Sequence, residues 1–379
     1  VVCVVVLAAW PASADPGDAE IIGHERGWSI EDVQLRTTYL DQRGTGFQSQ
    51  DGPVGGPGGE SMYIFQPSTL ITIRQSERVV HKIAVPIDAI TAASPDAVDA
   101  TTSASRRNIA GDFDLRSTIK LSDTDTLSTR LVAHGEEWIG GGTIGAGWRR
   151  SLADDNATIS INGTFGVDVF DDHDHFGDFL GKTTRETTNL NVSGSQLLSP
   201  TTVLDASYGV TYQHGTLRTG WNAVPREDGT LADEVLPGSR LRHALSIRLA
   251  QHVPMTHSTV KARYRAYIDD FGLTAHTIDA SVYQYLVDWL YVRGGYRYHR
   301  QSSVDFFTTS LPDGFTNTTL RTSDSDLAAL HANEVSLELA TVRDRGPLRK
   351  WSLSTEVLRY QRSNDLTITA VSLSVGRMM

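Results

Sequence analysis

The chain has a single cysteine in 379 residues, Cys3, within an apolar run at its very start. The remainder can therefore form no disulfide, which suits an oxidising compartment where a lone thiol is at risk. There is no run of Lys or Arg, and the formal charge is -11. Without a basic face to meet phosphates, nucleic acid is excluded as a partner. No apolar stretch approaches the roughly 20 residues of a membrane-spanning helix. Neither G-x-S-x-G nor H-E-x-x-H occurs, and His134, His214, His243, His276 and His299 are scattered over separate segments. No nucleophile and base are brought together by spacing, so an enzyme is not expected.

What is present is a two-residue period. From Ile109 to Leu121, Phe113, Leu115, Ile119 and Leu121 fall on one face, while Asp112, Asp114, Arg116, Thr118 and Lys120 fall on the other. Ile159, Ile161, Phe165, Val167 and Val169 alternate with Ser160, Asn162, Thr164 and Asp168 in the same way. A soluble β-sandwich alternates too, but three further features favour a membrane. The strands run about ten to fourteen residues, the length a tilted barrel strand needs to cross a bilayer. Trp138, Trp148, Trp289, Tyr291, Tyr298, Trp351 and Tyr360 lie near strand ends, where an interfacial girdle belongs. Short turns such as Ala153 to Asn156 alternate with long polar connections at 42–60, 92–108, 171–186, 216–240 and 307–327.

With a periplasmic amino terminus, all five long connections fall on the extracellular side. The strands predicted are 30–41, 61–75, 79–91, 108–121, 125–137, 142–152, 156–170, 187–198, 201–214, 241–253, 257–270, 273–286, 289–305, 328–342, 350–362 and 365–378. The expected fold is an all-β, transmembrane, antiparallel up-and-down β-barrel of about 16 strands, with 14 the next even count. Residues Val1 to Ala14 are uncharged and end in Ala12-Ser13-Ala14, the pattern of a cleaved export signal. The layout read from this is a signal over 1–14, a periplasmic segment over 15–29 and a barrel over 30–379 in the bacterial outer membrane. Its expected partners are outer-membrane lipids, the barrel-assembly machinery and an unidentified periplasmic protein. The Gly/Pro tract Gly52 to Gly59 reads as a surface loop.

Particular residues also look familiar. Glu234-Val-Leu-Pro-Gly-Ser-Arg240, Tyr264 to Gly272, His276-Thr277, Arg293 to Gln301 and Asp305-Phe306-Phe307 resemble a family of bacterial outer-membrane barrels, domain-of-unknown-function family three-five-seven-zero. Ser94-Pro95-Asp96, Thr102 to Ser105 and His134-Gly-Glu-Glu-Trp138 resemble its upstream elements, although Trp138 and Phe271 stand where Tyr and Trp are expected. The resemblance implies a fold and a location and no activity. It also implies a redox context, from flavin-transfer and thioredoxin-like neighbours.

Two constellations could carry function. Asp171, Asp172, His173, Asp174, His175 and Asp178 form a dense polar cluster that could hold a divalent cation, Ca²⁺ through oxygen or Zn²⁺ through nitrogen. It lacks EF-hand spacing, and a solvated acidic loop is the alternative. The second constellation is set by alternation, which places Arg116, Lys120, Arg248, Lys261, Arg263, Arg265, Arg293 and Arg297 on the lumen side with Glu334, Glu338 and Glu356. These are either interstrand ion pairs in a crowded interior or a positive wall that guides anions through a pore. The expected function is a channel or transport-related barrel. The alternative is a closed structural or partner-binding barrel in an exported assembly.

Overall fold

The computed structural model of the chain describes residues 27–44, 61–92, 107–136, 138–218, 222–312, 314–343 and 345–379. The signal expected over 1–14, the rest of the segment before Gly27 and the Gly/Pro tract lie outside the described residues. The strands are β1 (Ser29–Arg43), β2 (Met62–Ser76), β3 (Val79–Ala92), β4 (Arg107–Lys120), β5 (Asp125–Gly135), β6 (Ile139–Leu152), β7 (Ala157–His173), β8 (Phe179–Ser199) and β9 (Thr202–Gly215). After them come β10 (Ala223–Pro225), β11 (Leu231–Asp233), β12 (Ser239–Val253), β13 (Ser258–Asp269), β14 (Thr274–Val287), β15 (Leu290–Gln301), β16 (Leu330–Thr341), β17 (Trp351–Arg362) and β18 (Thr367–Met378). Sixteen of them close an antiparallel barrel, while β10 and β11 form a separate hairpin in the connection between β9 and β12. The barrel shuts where β1 pairs with β18, from Asp32↔Met378 to Arg43↔Thr367.

Each predicted stretch corresponds to one barrel strand, because a period of two puts every second side chain on the same surface. The outer surface is apolar. Leu35, Ile144, Leu190, Ile278, Val335 and Leu373 all point outward and are exposed, Ile144 to 61% and Leu373 to 57%. A continuous exterior of large aliphatic side chains is untenable in water and is what hydrocarbon requires. The barrel therefore spans a membrane.

Tyrosines ring the loop end of this apolar band. Tyr39 stacks on Tyr63, and the hydroxyls of Tyr208, Tyr264 and Tyr296 bond His243, His276 and Asn333 at 2.7, 2.6 and 2.7 Å. At the turn end, Trp148 donates to Asp125 and Trp351 lies under the Arg377 guanidinium. Two predicted girdle residues belong elsewhere. Tyr291 and Tyr360 share the parity of Arg293 and Glu356 and so face the interior.

The predicted connections 42–60 and 92–108 lie largely outside the described residues; the described parts of 216–238 and 302–329 lie at one end of the barrel, and a further predicted loop nearly vanishes. The predicted loop 171–186 is mostly strand, because β7 and β8 stay paired through Asp171↔Lys182 and Asp172↔Gly181 and leave only Asp174–Asp178 as a turn. Past the membrane both faces of a hairpin meet water, so the apolar alternation stops while the backbone ladder continues. At the opposite end the β6–β7 turn holds Ala153, Asp154 and Asp155 at φ of 52°, 53° and 66°, the left-handed region a tight hairpin demands.

Candidate transport lumen

Parity along each strand fixes which side chains enter the lumen, and neighbouring strands then bring opposite charges side by side. From β13 round to β1 these pairs join into a mesh. Asp279 on β14 receives Arg263 from β13 at 3.0 Å and Arg297 from β15 at 2.5 Å. Arg297 also reaches Glu334 on β16 at 3.1 Å. One turn lower, Arg293 bridges Glu338 on β16 at 2.7 Å and Glu356 on β17 at 2.5 Å. Arg36 on β1 meets Glu356 at 3.5 Å and Ser372 on β18, which carries the mesh across the closing seam.

Smaller islands of charge stand apart from it. Arg116 and Arg130 share Asp114 at 2.8 Å each, Arg248 meets Asp205 at 2.9 Å, and Lys120 reaches Asp123 at 3.3 Å. Lys261 lies over the Tyr283 ring at 4.3 Å, beside a cluster in which Tyr291 packs against Tyr283 and Tyr285. Arg265 makes no ion pair among the described residues.

The inner face of β6 to β9 is different in kind. Gly145, Gly147, Ser160, Asn162, Thr164, Asn191, Ser193, Ser207 and Gly209 lie along its middle, with Arg149 toward the turns and the Asp168–Arg185 pair at 3.0 Å toward the loops. Asn189 donates to Thr164 at 3.0 Å and accepts from Thr211 at 2.6 Å. A Cβ on Gly147 would meet the Asn162 amide oxygen at 2.0 Å and the Ser128 hydroxyl at 2.6 Å, so glycine here makes room for its neighbours' side chains. Asn162 is exposed, and Ser193 and Ser207 remain partly accessible. On the opposite side even small residues are covered, with Ala332 at 1% and Ser336 at 8% beneath the long side chains of the mesh.

Two connections fold together at the loop end, packing on that crowded side while the hairpin also reaches the β7–β8 turn through Asp233 and His175. Phe271, Leu273, Ala275, Val304 and Leu327 form a buried cluster that Tyr267, Phe306 and Phe307 complete. Val224 and Ala232 of the hairpin pack with Leu311. Arg362 and Gln301, both on the inner face, hold the 302–329 connection through Asp326 and the Asp326 and Ala328 carbonyls. Buried Asp269 accepts from Arg240, the Tyr267 hydroxyl and the Phe271 and Leu273 amides. The hairpin and the second connection meet where Thr322 donates to Glu234, both buried. Burial, reinforced by the nearby Asp324 carboxylate, pushes Glu234 up to about 7.

The acidic cluster is distributed among other protein groups. Asp171 pairs with Lys182 at 3.3 Å and Asp172 with Arg218 at 2.7 Å. Asp174 accepts the amides of Phe176 and Asp178 and so shapes its turn. His175 bonds Asp233 at 2.5 Å. Burial alone would raise the Asp233 carboxyl, but the side-chain and backbone hydrogen bonds from His175, together with its charge and that of Arg218, outweigh it and hold the group below its ordinary value. His173 is buried edge-on against Trp138. Among the described residues no group of three or more His, Cys, Asp or Glu comes together to hold a metal ion. The sequence reasoning passed over Arg36, Arg130 and the inward-facing Tyr291, although parity along β1, β5 and β15 marks them.

A closed barrel with an apolar exterior and a polar, water-accessible interior defines a membrane-spanning barrel of the outer-membrane type. The chain belongs to the family described as "Protein of unknown function (DUF3570)", whose model matches residues 148–373. No curated protein matches the sequence. Among solved structures, the chain is similar in fold to Pseudomonas aeruginosa OpdK with vanillate, at 10% identity and a TM-score of 0.44 over 93% of this chain and 99% of that one. It is also similar to a BenF-like porin from Pseudomonas fluorescens Pf-5, at 11% identity and a TM-score of 0.47 over 93% and 99%. A third similar structure is the siderophore receptor PirA from Acinetobacter baumannii, at 10% identity and a TM-score of 0.46 over 88% and 53%.

Proposed function

We propose that the protein is a water-filled channel for small polar solutes, with a modest preference for anions set by its arginine-bearing wall. The observation that carries this reading is the accessibility of the inner charges. Arg263, Arg297 and Arg248 keep 44, 39 and 43% of their side chains exposed while lying on the inside of the cylinder. An interior packed by its own side chains would bury them, and barrels of about 16 strands are wide enough to leave an aqueous passage. Within the mesh each arginine is compensated, so the local field owes its sign to inner cations that make no ion pair among the described residues, of which Arg265 and Lys261 lie together on β13 beside the mesh. The local wall potential acts on a permeating ion more strongly than the chain's total charge does.

The test is conductance in planar bilayers, with the reversal potential read under a salt gradient. The parent should conduct steadily with a reversal potential displaced toward anions. Changing Arg265 and Lys261 together to Gln should move that potential toward zero without breaking the mesh. An unchanged potential would remove the anion preference. The folded connections over the crowded side favour a second reading, a closed barrel that receives an exported partner. Absence of conductance, with a stably bound periplasmic protein, would select it.

A further inference from the structure

We propose that the outer rim of β14, β15 and β16 is a binding site for the phosphorylated glycolipid headgroup of the outer leaflet, built from His276, Arg300 and His331. These three residues are direct register neighbours, His276↔Arg300 and Arg300↔His331. All three are exposed and share the outward parity of Ile278, Tyr296 and Val335. They form one row across three strands, about 10 Å wide at the usual interstrand spacing, which suits a headgroup carrying two phosphates.

The height of the row is what gives it a ligand. Ten residue steps separate 276 from 286, 290 from 300 and 331 from 341 on the three strands. At about 3.3 Å per step and a tilt near 40°, each span rises about 25 Å, the thickness of the apolar band of a barrel of this kind. Leu286, Leu290 and Thr341 mark the turn-side edge of that band, and the row stands at its loop-side edge, where headgroup phosphates begin. No carboxylate shares the outer face of these three strands. Arg300 makes no ion pair among the described residues, unlike Arg43 elsewhere on the rim, which pairs with Asp41 at 3.0 Å. An arginine left uncompensated at the lipid boundary is matched by an anionic headgroup, and its planar fork suits phosphate oxygens.

The two histidines frame it. The Tyr264 hydroxyl engages Nδ1 of His276 at 2.6 Å, which orients the ring and leaves Nε2 for an outside oxygen. His331 is set at the start of β16, where its backbone amide donates to the Ser363 hydroxyl.

The experiment is native mass spectrometry of the detergent-solubilised barrel titrated with lipid A, a bisphosphorylated glycolipid, with its dephosphorylated form and with phosphatidylglycerol. The parent should retain lipid A at least ten-fold better than either of the others. A variant carrying His276→Gln, Arg300→Gln and His331→Gln should lose that advantage, while Arg43→Gln should keep it. The single change Arg300→Gln, at an exposed side chain with no hydrogen bond or ion pair among the described residues, is read alongside and should lose most of it. Equal retention by parent and Arg300→Gln, or equal binding of phosphatidylglycerol, would overturn the assignment.

Discussion

The two halves of the lumen wall are made from the same strand geometry and solve opposite problems. From β13 round to β1, long side chains rise from the wall and clasp one another through alternating charges, so that Ala332 and Ser336 vanish beneath them. Along the middle of β6 to β9, short polar side chains sit beside glycines such as Gly147 and stay partly accessible, while the long charged groups stand toward the strand ends. Charge pairing gives height without net charge. Glycine with Ser, Thr and Asn gives polarity without height. A cylinder lined throughout by the first pattern would fill itself, and one lined throughout by the second would have nothing to narrow or gate it. If the barrel conducts as proposed, the contrast predicts that the passage runs beside β6 to β9, with the mesh as its opposite bank.

If the crowded bank depends on its buried anchor, Asp269→Ala should have the largest effect. It strands Arg240 and releases the Phe271 and Leu273 amides, and uncoupling a buried pair of this kind costs about 3–5 kcal/mol. Urea unfolding in detergent micelles would read the loss, and a change below about 1 kcal/mol would show that the cap does not depend on this carboxylate. On the open bank the sensitive atom is a hydrogen. Gly147→Val should destabilise by about 1–3 kcal/mol through overpacking against Asn162 and Ser128. Gly294→Ala, on the outer face with nothing within 4 Å, should leave stability unchanged.

The folded connections should respond to pH. Glu234 is raised from 4.5 to about 7 by burial, so the protonated form is the one the folded cap prefers. Its contribution is complete below the unfolded value near 4.5 and is lost as pH rises through about 7. Limited proteolysis of the 302–329 connection should therefore be faster at pH 8 than at pH 5.5, and Glu234→Gln should flatten the dependence. Faster cleavage at the acidic end would reverse the argument. The smallest effect belongs to a single mesh pair. Glu338→Gln leaves Arg293 held by Glu356, and a cross-strand pair of this exposure contributes roughly 0.2 to 1 kcal/mol.

The strand plan was legible because lipid on one side and water on the other force an alternation that needs no tertiary information to read. The same parity placed Arg263, Arg293, Arg297 and their acids on one side. It could not say that Asp279 would serve two arginines at once, since that depends on the stagger between neighbouring strands. The extension of β7 and β8 past Phe170 was invisible for a related reason. Beyond the membrane, Asp171 and Lys182 face each other across a ladder held by backbone bonds, and composition there looks like a loop. Asp174 and His175 read as metal ligands in sequence because their true partners, two local amides and Asp233, are set by a turn and by the distant β10–β11 hairpin. The two girdle errors, Tyr291 and Tyr360, came from counting nearness to a strand end without counting parity.

The seam between β1 and β18 has a consequence in time. Twelve residue pairs join stretches more than three hundred positions apart, so the contact that makes the sheet a cylinder is also the most non-local one in the molecule. Non-local pairing is slow to form because the loop entropy comes before the contact is made. Until then the chain presents two long edge strands whose amides and carbonyls are open to any other strand. Arg36 reaching past β18 to Glu356 is a contact that only the finished ring contains, so it can stabilise the closed state without helping the search for it.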